Sequence, residues 1–215
     1  RASISSDGRY VVFESTSSSL VVGDTNLASD IFVFDRLTNT VRRVSEDSSG
    51  SQGHGHSVWS MISGNGATIV FLSWSTNLVL GDQNGIPDYF VHELATGTTT
   101  RVSVDSNGQE GYCVSSFDCL EEGGVAISYD GSIVAFASGA STLVAGDTNY
   151  GSDVFVRDRA AATTTLVSVS SAGAQGNDWS YFPSLSCDGR YVAFDSFASN
   201  LVSGDTNSRQ DLFVQ

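Results

Sequence analysis

Apolar residues in this chain fall in short blocks and not at the 3.6-residue spacing of a helix. Tyr10-Val11-Val12-Phe13 and Ile31-Phe32-Val33 are typical. Blocks rich in β-branched and aromatic residues, bounded by Asp-Gly and Asn-Gly, read as strands and tight turns. The first set of blocks predicts strands over 2–5, 9–15, 30–35 and 40–45, with Asp7-Gly8 as a hairpin turn. A Ser- and Gly-rich loop, 47–57, then crosses to the next set. The second set has Asn65-Gly66 and strands over 67–73, 88–93 and 98–104. The third has Asp130-Gly131 and strands over 132–138, 153–158 and 163–169. The fourth has Asp188-Gly189 and strands over 190–196 and 211–214.

One polar pattern recurs ahead of the third strand of each set: Asp-x-Asn-x-x-x-Asp, followed by a short apolar run. Its first Asp stands at 24, 82, 147 and 205, so the spacings are 58, 65 and 58. Self-similarity at such a period marks a repeat architecture. The longer spacing reflects an insertion in the crossing loop around 112–124, where extra residues cost little. Four strands and a crossing loop per repeat make a propeller blade. Strands apolar on both faces suit a sheet sandwiched between two others. The expected fold is all-β, a β-propeller of four repeats of four-stranded antiparallel blades, forming a single domain over 1–215. The repeats span approximately 1–57, 58–122, 123–179 and 180–215. The last blade lacks its outer strand in this chain, which leaves 211–214 as an edge open to strand addition from a neighbouring molecule.

Charge narrows the function classes. The formal net charge is −14, and all ten basic residues are Arg. A nucleic-acid partner would require a basic face, and anionic membrane surfaces would repel the chain. No apolar run is long enough to insert in a bilayer. Asp outnumbers Glu by 18 to 6, and eight of the Asp belong to the repeated loops. The negative charge is therefore placed by the loops.

The segment Ser-x-Asp-Gly-Arg-Tyr-Val-Ala-Phe-Asp-Ser at 186–196, with Gly-Asp-Thr-Asn at 204–207, resembles the TolB-like group of WD-like β-propeller repeats. Asp153-Val-Phe-Val-Arg-Asp-Arg159 and Thr-Thr-Thr-Leu-Val-Ser-Val at 163–169 continue the resemblance, which runs through all four copies. It implies a propeller fold. Such propellers serve as scaffolds, binding modules and, less often, enzymes.

The loop chemistry suggests Ca²⁺, a cation held by six to eight oxygens. Asp24, Asn26 and Asp30 place oxygens at positions 1, 3 and 7 of a tight loop. The other triplets are Asp82, Asn84, Asp88; Asp147, Asn149, Asp153; and Asp205, Asn207, Asp211. The competing reading is that Asp and Asn cap turns through side-chain-to-backbone hydrogen bonds. Cys113 and Cys119 are spaced for a local disulfide, which points to an extracellular or periplasmic location.

Signs of catalysis are thin. His occurs only at 54, 56 and 92, and Glu121-Glu122 in the insertion reads as a solvated pair. Trp59, Trp74, Trp179, Tyr181 and Phe182 suit either repeated packing or a sugar-binding rim, with Trp59 and Trp179 placed alike before the first strand of their repeats. The expected function is a non-catalytic, calcium-stabilised extracellular propeller, a structural or filament-forming homo-oligomer completed by a neighbour's strand. The alternatives are a glycan- or peptide-binding module and a propeller hydrolase or lyase.

Overall fold

A computed structural model describes residues 2–113 and 124–215. Its described elements are all strands: β1 (Ala2–Ile4), β2 (Tyr10–Ser15), β3 (Asp30–Asp35), β4 (Thr40–Arg43), β5 (Ser57–Ile62), β6 (Thr68–Ser73), β7 (Asp88–Glu93), β8 (Thr98–Arg101), β9 (Val125–Ile127), β10 (Ile133–Ser138), β11 (Asp153–Asp158), β12 (Thr163–Leu166), β13 (Ser180–Leu185), β14 (Val192–Ser196) and β15 (Asp211–Val214). They form three four-stranded sheets and one three-stranded sheet, each ordered as in the chain. These are four antiparallel propeller blades, the fourth without an outer strand in this chain. Cys113 is disulfide-bonded, and Cys187 is free and exposed. Cys119 and the Glu121-Glu122 pair lie outside the described residues.

Equivalent residues pair in every blade. Phe13 faces Phe32, Phe71 faces Phe90, Phe136 faces Phe155 and Phe194 faces Phe213. Their rings lie 5.8–6.0 Å apart. One face of each blade therefore carries the phenylalanines and the other mainly aliphatic residues, with Tyr89 among them in the second blade, the alternation that a pleated strand imposes.

The described chain separates into two compact units, 1–102 with 127–131, and 103–126 with 132–215. In the first, Val12, Ile31 and Val33 on the aliphatic face of one blade pack with Ile69, Phe71 and Phe90 of the next. In the second, Ala135, Ala137 and Val154 pack with Val192, Phe194 and Leu201. Each unit thus uses one rule, aliphatic face against phenylalanine face. Neither blade of a pair could bury both faces alone.

One local feature bears out the sequence expectation in detail and two depart from it. The Asp7-Gly8 turn is closed by the Gly8 N–H donating to Ser5 O at 2.8 Å, with Gly8 at φ +69° and Asp7 outside the left-handed region. It is a type I turn followed by a left-handed glycine, because Asp7 Oδ1 is held by Ser5 Oγ (2.6 Å) and by the Arg9 N–H (2.9 Å). The fourth strands end earlier than the alternation suggests. Ser45 Oγ, not a carbonyl, accepts the Ile31 N–H at 3.1 Å, so the ladder stops there.

Finally, Trp59 lies inside β5 and does not precede it. It sits at a bulge with φ +57°, and its equivalent in β13 is Phe182 at φ +51°. The Ser57–Ser73 and Ser180–Ser196 pairings set this register. Trp179, which does precede β13, is instead equivalent to His56. A left-handed backbone under a bulky ring is costly and uncommon, so both bulges re-aim an aromatic side chain.

Candidate functional site

The repeated loop enters the third strand of each blade, and its side chains meet there at a corner. In the first copy Asn26 Oδ1 accepts the Ala28 N–H at 2.9 Å, while Asn26 Nδ2 donates to Asp30 Oδ2 and Gly53 O, both at 2.9 Å. The backbone contact recurs at Ile86 to Asn84 (3.1 Å), Gly151 to Asn149 (2.9 Å) and Arg209 to Asn207 (2.7 Å). Asn84 and Asn207 donate to Asp88 and Asp211 at 3.1 and 2.9 Å. The Asn therefore caps the turn with its oxygen and neutralises part of the second Asp with its nitrogen. The two Asp of each loop remain as the side-chain oxygen donors.

The second Asp is the buried centre of the corner. Ser45 Oγ donates to Asp30 Oδ1, and Ser168 Oγ donates to Asp153 Oδ1, each at 2.5 Å. Burial raises the Asp30 carboxyl above the ordinary range, against the Ser45 and Asn26 hydrogen bonds and the Arg43 charge; Asp24 adds to the rise. Asp153 is pushed up to about 6, again first by burial, with Asp147 nearby contributing repulsion.

Sequence reasoning missed what faces the first Asp, which differs from corner to corner. In the first copy Gln52 Nε2 reaches Asp24 Oδ1 at 3.5 Å, and Arg43 stands near Asp30 with its Nε and Nη1 buried and without hydrogen-bond partners. In the second, Arg101 Nη1 lies 2.9 Å from Asp88 Oδ2 and 3.6 Å from Asp82 Oδ1, so a guanidinium stands between two carboxylates. In the third, the residue at this place is Leu166. Gln175 Nε2 alone bridges, at 2.7 Å from Asp147 Oδ1 and 2.8 Å from Asp153 Oδ2. Asp147 Oδ2 is buried with no hydrogen-bond partner, and burial raises that carboxyl too. The fourth corner, Asp205, Asn207 and Asp211, is half open to solvent. A signal for these partners exists in the chain. Gln52-Gly53 and Gln175-Gly176 each follow the first Asp of their loop by 28 residues.

The donor set decides where a divalent cation fits. At the second corner Glu110 joins Asp82 and Asp88, three carboxylates whose oxygens lie within 4.8 Å of one another, and Arg101 offsets part of their charge; Arg43 stands near the first. The third has two close carboxylates, one orphaned buried oxygen and no cationic side chain, so its residues fit a cation. Close carboxylates repel unless a proton, a donor or a cation lies between them.

The histidines do not converge. His56 Nδ1 accepts the Ser29 N–H at 2.9 Å, and His54 is exposed. His92 is buried against Thr99 at 3.0 Å, and burial pushes its pKa down to about 4.

No protein-family model matches the chain, and no curated protein matches it. Solved structures do. TolB from Acinetobacter baumannii superposes with a TM-score of 0.51 at 17% identity, over 93% of this chain and 40% of that one. A TolB-designated protein of Agrobacterium tumefaciens gives 0.58 at 15%, over 98% of this chain and 58% of that one. The fold is the TolB-like β-propeller. Oligogalacturonate lyase from Vibrio parahaemolyticus shares it, with a TM-score of 0.51 at 12% identity, over 99% of this chain and 50% of that one. At these identities the likeness is one of fold, and the chain spans about half the length of these TolB-like neighbours.

Proposed function

We propose that this chain is a non-catalytic, extracytoplasmic β-propeller module that works as a structural, self-associating unit. One observation carries the reading. On the outer face of the fourth blade, Leu212 and Val214 are 70% and 64% exposed, whereas their repeat equivalents Ile31 and Val33 are 0% and 1% exposed. The exposed pair has the chemistry of a blade-packing face. Its partner in this proposal is the phenylalanine-bearing face of a blade in a second copy, with a strand of that copy added along β15. Contact of this head-to-tail kind propagates into rings or fibres.

Ca²⁺ has a place in this proposal at the third corner, held by Asp147 and Asp153, and at the more open fourth, held by Asp205 and Asp211. There it would supply the positive charge that Arg101 supplies at the second. The extracytoplasmic location is supported by the disulfide-bonded Cys113. A non-catalytic role is supported by the scatter of the histidines and by corner carboxylates engaged in hydrogen bonds and an ion pair within the chain.

Sedimentation velocity over a hundredfold concentration range, followed by electron microscopy, tests the reading. Concentration-dependent growth into rings or filaments is expected. A single monomeric species throughout overturns it.

A further inference from the structure

At the rim of the fourth blade, Trp179 precedes β13 and faces the residue that follows β14. The Phe197 N–H donates to Trp179 O at 2.9 Å, Ser196 Oγ donates to the same oxygen at 3.3 Å, and the Trp179 N–H donates to Asp178 Oδ1 at 2.8 Å. The indole is fixed as well. It lies against Gly151 of the third loop, so closely that a Cβ there would be 2.4 Å from Cδ1. Its ring also stands edge-on to Tyr181, 6.0 Å between centroids. Held in this way, Trp179 is still 52% exposed, and Phe197 and Phe182 of the same blade are exposed too.

The open face of the fourth blade does not explain this. In the second blade the equivalent face is buried: Leu72 and Val91 are fully inaccessible and Tyr89 nearly so. Yet Trp74, the equivalent of Phe197, remains 46% exposed there, and His56, the equivalent of Trp179, is exposed as well. The Trp74 N–H donates to His56 O at 2.9 Å, the same backbone contact. These rim positions stay in solvent in both blades.

The surroundings of Trp179 are short and polar. Asn177 Nδ2 donates to Ser199 Oγ at 3.2 Å, and the Asn177 N–H donates to Asn200 Oδ1 at 2.9 Å. Ser199 and Asn200 go on to line a cleft that mixes serines with the apolar Ala172, Leu201 and Val202. An aromatic plate packed on one side and open on the other, two residues from the Asn177 that braces the Ser199–Asn200 wall of this cleft, has the makings of a sugar subsite. The CH face of a pyranose stacks on the ring, and its hydroxyls reach the amides.

We propose that Trp179 and the Asn177–Ser199–Asn200 wall bind neutral oligosaccharides. The charge of −14 and the adjacent Asp178 disfavour uronic-acid polymers. The proposal rests on the rim and is independent of the self-association proposed above.

The test is calorimetric titration of the protein with cellohexaose, mannohexaose, hexagalacturonate and a decaproline peptide, with indole fluorescence read in parallel. Saturable binding of at least one neutral hexasaccharide is expected, with hexagalacturonate at least tenfold weaker. Trp179→Ala should weaken that binding tenfold or more, and Trp179→Phe should restore part of it. Gly151→Ala, which pushes the indole away, should weaken it with the circular dichroism spectrum unchanged. The proposal is overturned if neither neutral sugar binds, if Trp179→Ala binds as the parent does, or if decaproline or hexagalacturonate is preferred.

Discussion

Arg101 and Asp88 form an enclosed ion pair, with Nη1 2.9 Å from Oδ2 and side chains only 10% and 2% exposed. The same place on the equivalent strand of the third blade is Leu166. One loop pattern is therefore neutralised in different ways, and the differences can be measured.

Replacing Arg101 with Leu leaves Asp88 buried beside Asp82 without a guanidinium. Breaking a buried pair in this manner costs about 3–5 kcal/mol. The urea midpoint of Arg101→Leu should fall accordingly. A loss under about 1 kcal/mol, the range of an exposed pair, would show that the contact contributes little.

The third corner should respond to Ca²⁺. A ligand at a hundredfold excess over its Kd adds about 2.7 kcal/mol. Calorimetry of the parent with CaCl₂ and with chelator should show an upward shift of the melting temperature that Asp147→Asn abolishes. Leu166→Arg should raise the melting temperature without calcium and remove the response. A parent transition indifferent to both additions counts against the cation.

Two buried groups pull the pH dependence in opposite directions. Asp153 has a folded pKa of about 6 against an ordinary 3.8, so the native state holds the extra proton and stability rises as pH falls through this window. His92 has a folded pKa of about 4 against 6.5, so the unfolded state takes the proton and stability falls as pH falls from 6.5. Each effect amounts to about 3 kcal/mol at about 1.4 kcal/mol per pH unit, so they nearly cancel in the parent. Between pH 6.5 and 4.5, without metal, Asp153→Asn should therefore lose stability and His92→Gln should gain it. Denaturation curves in which the two variants move alike would contradict this assignment.

Glu at both 212 and 214 places charge on the exposed aliphatic positions of β15. The double variant should sediment as a monomer at concentrations where the parent associates, with its melting temperature within a few degrees of the parent's. Unchanged association would move the interface elsewhere.

Much of this was legible in the chain. Repeat period, strand blocks and Asp-Gly turns specify stacked four-stranded blades, because alternation and turn chemistry are local properties. The pairing of Phe13 with Phe32, and of its three counterparts, follows from the same register. The Asp-x-Asn-x-x-x-Asp pattern likewise marked the corners, since each is built within seven consecutive residues.

What folding alone decided is which distant groups reach those corners. Arg101, Ser45, Ser168 and Gln175 arrive from 13 to 28 residues away along the chain. Their meeting depends on where the fourth strand ends and how the crossing loop returns, and no local pattern encodes either. The Asn side chains show the same limit: the sequence offers an oxygen, and the folded turn spends it on a backbone N–H. Spacing fixed the blades, and tertiary packing fixed the charge at each corner, because neutralising a buried carboxylate requires a partner from a different strand.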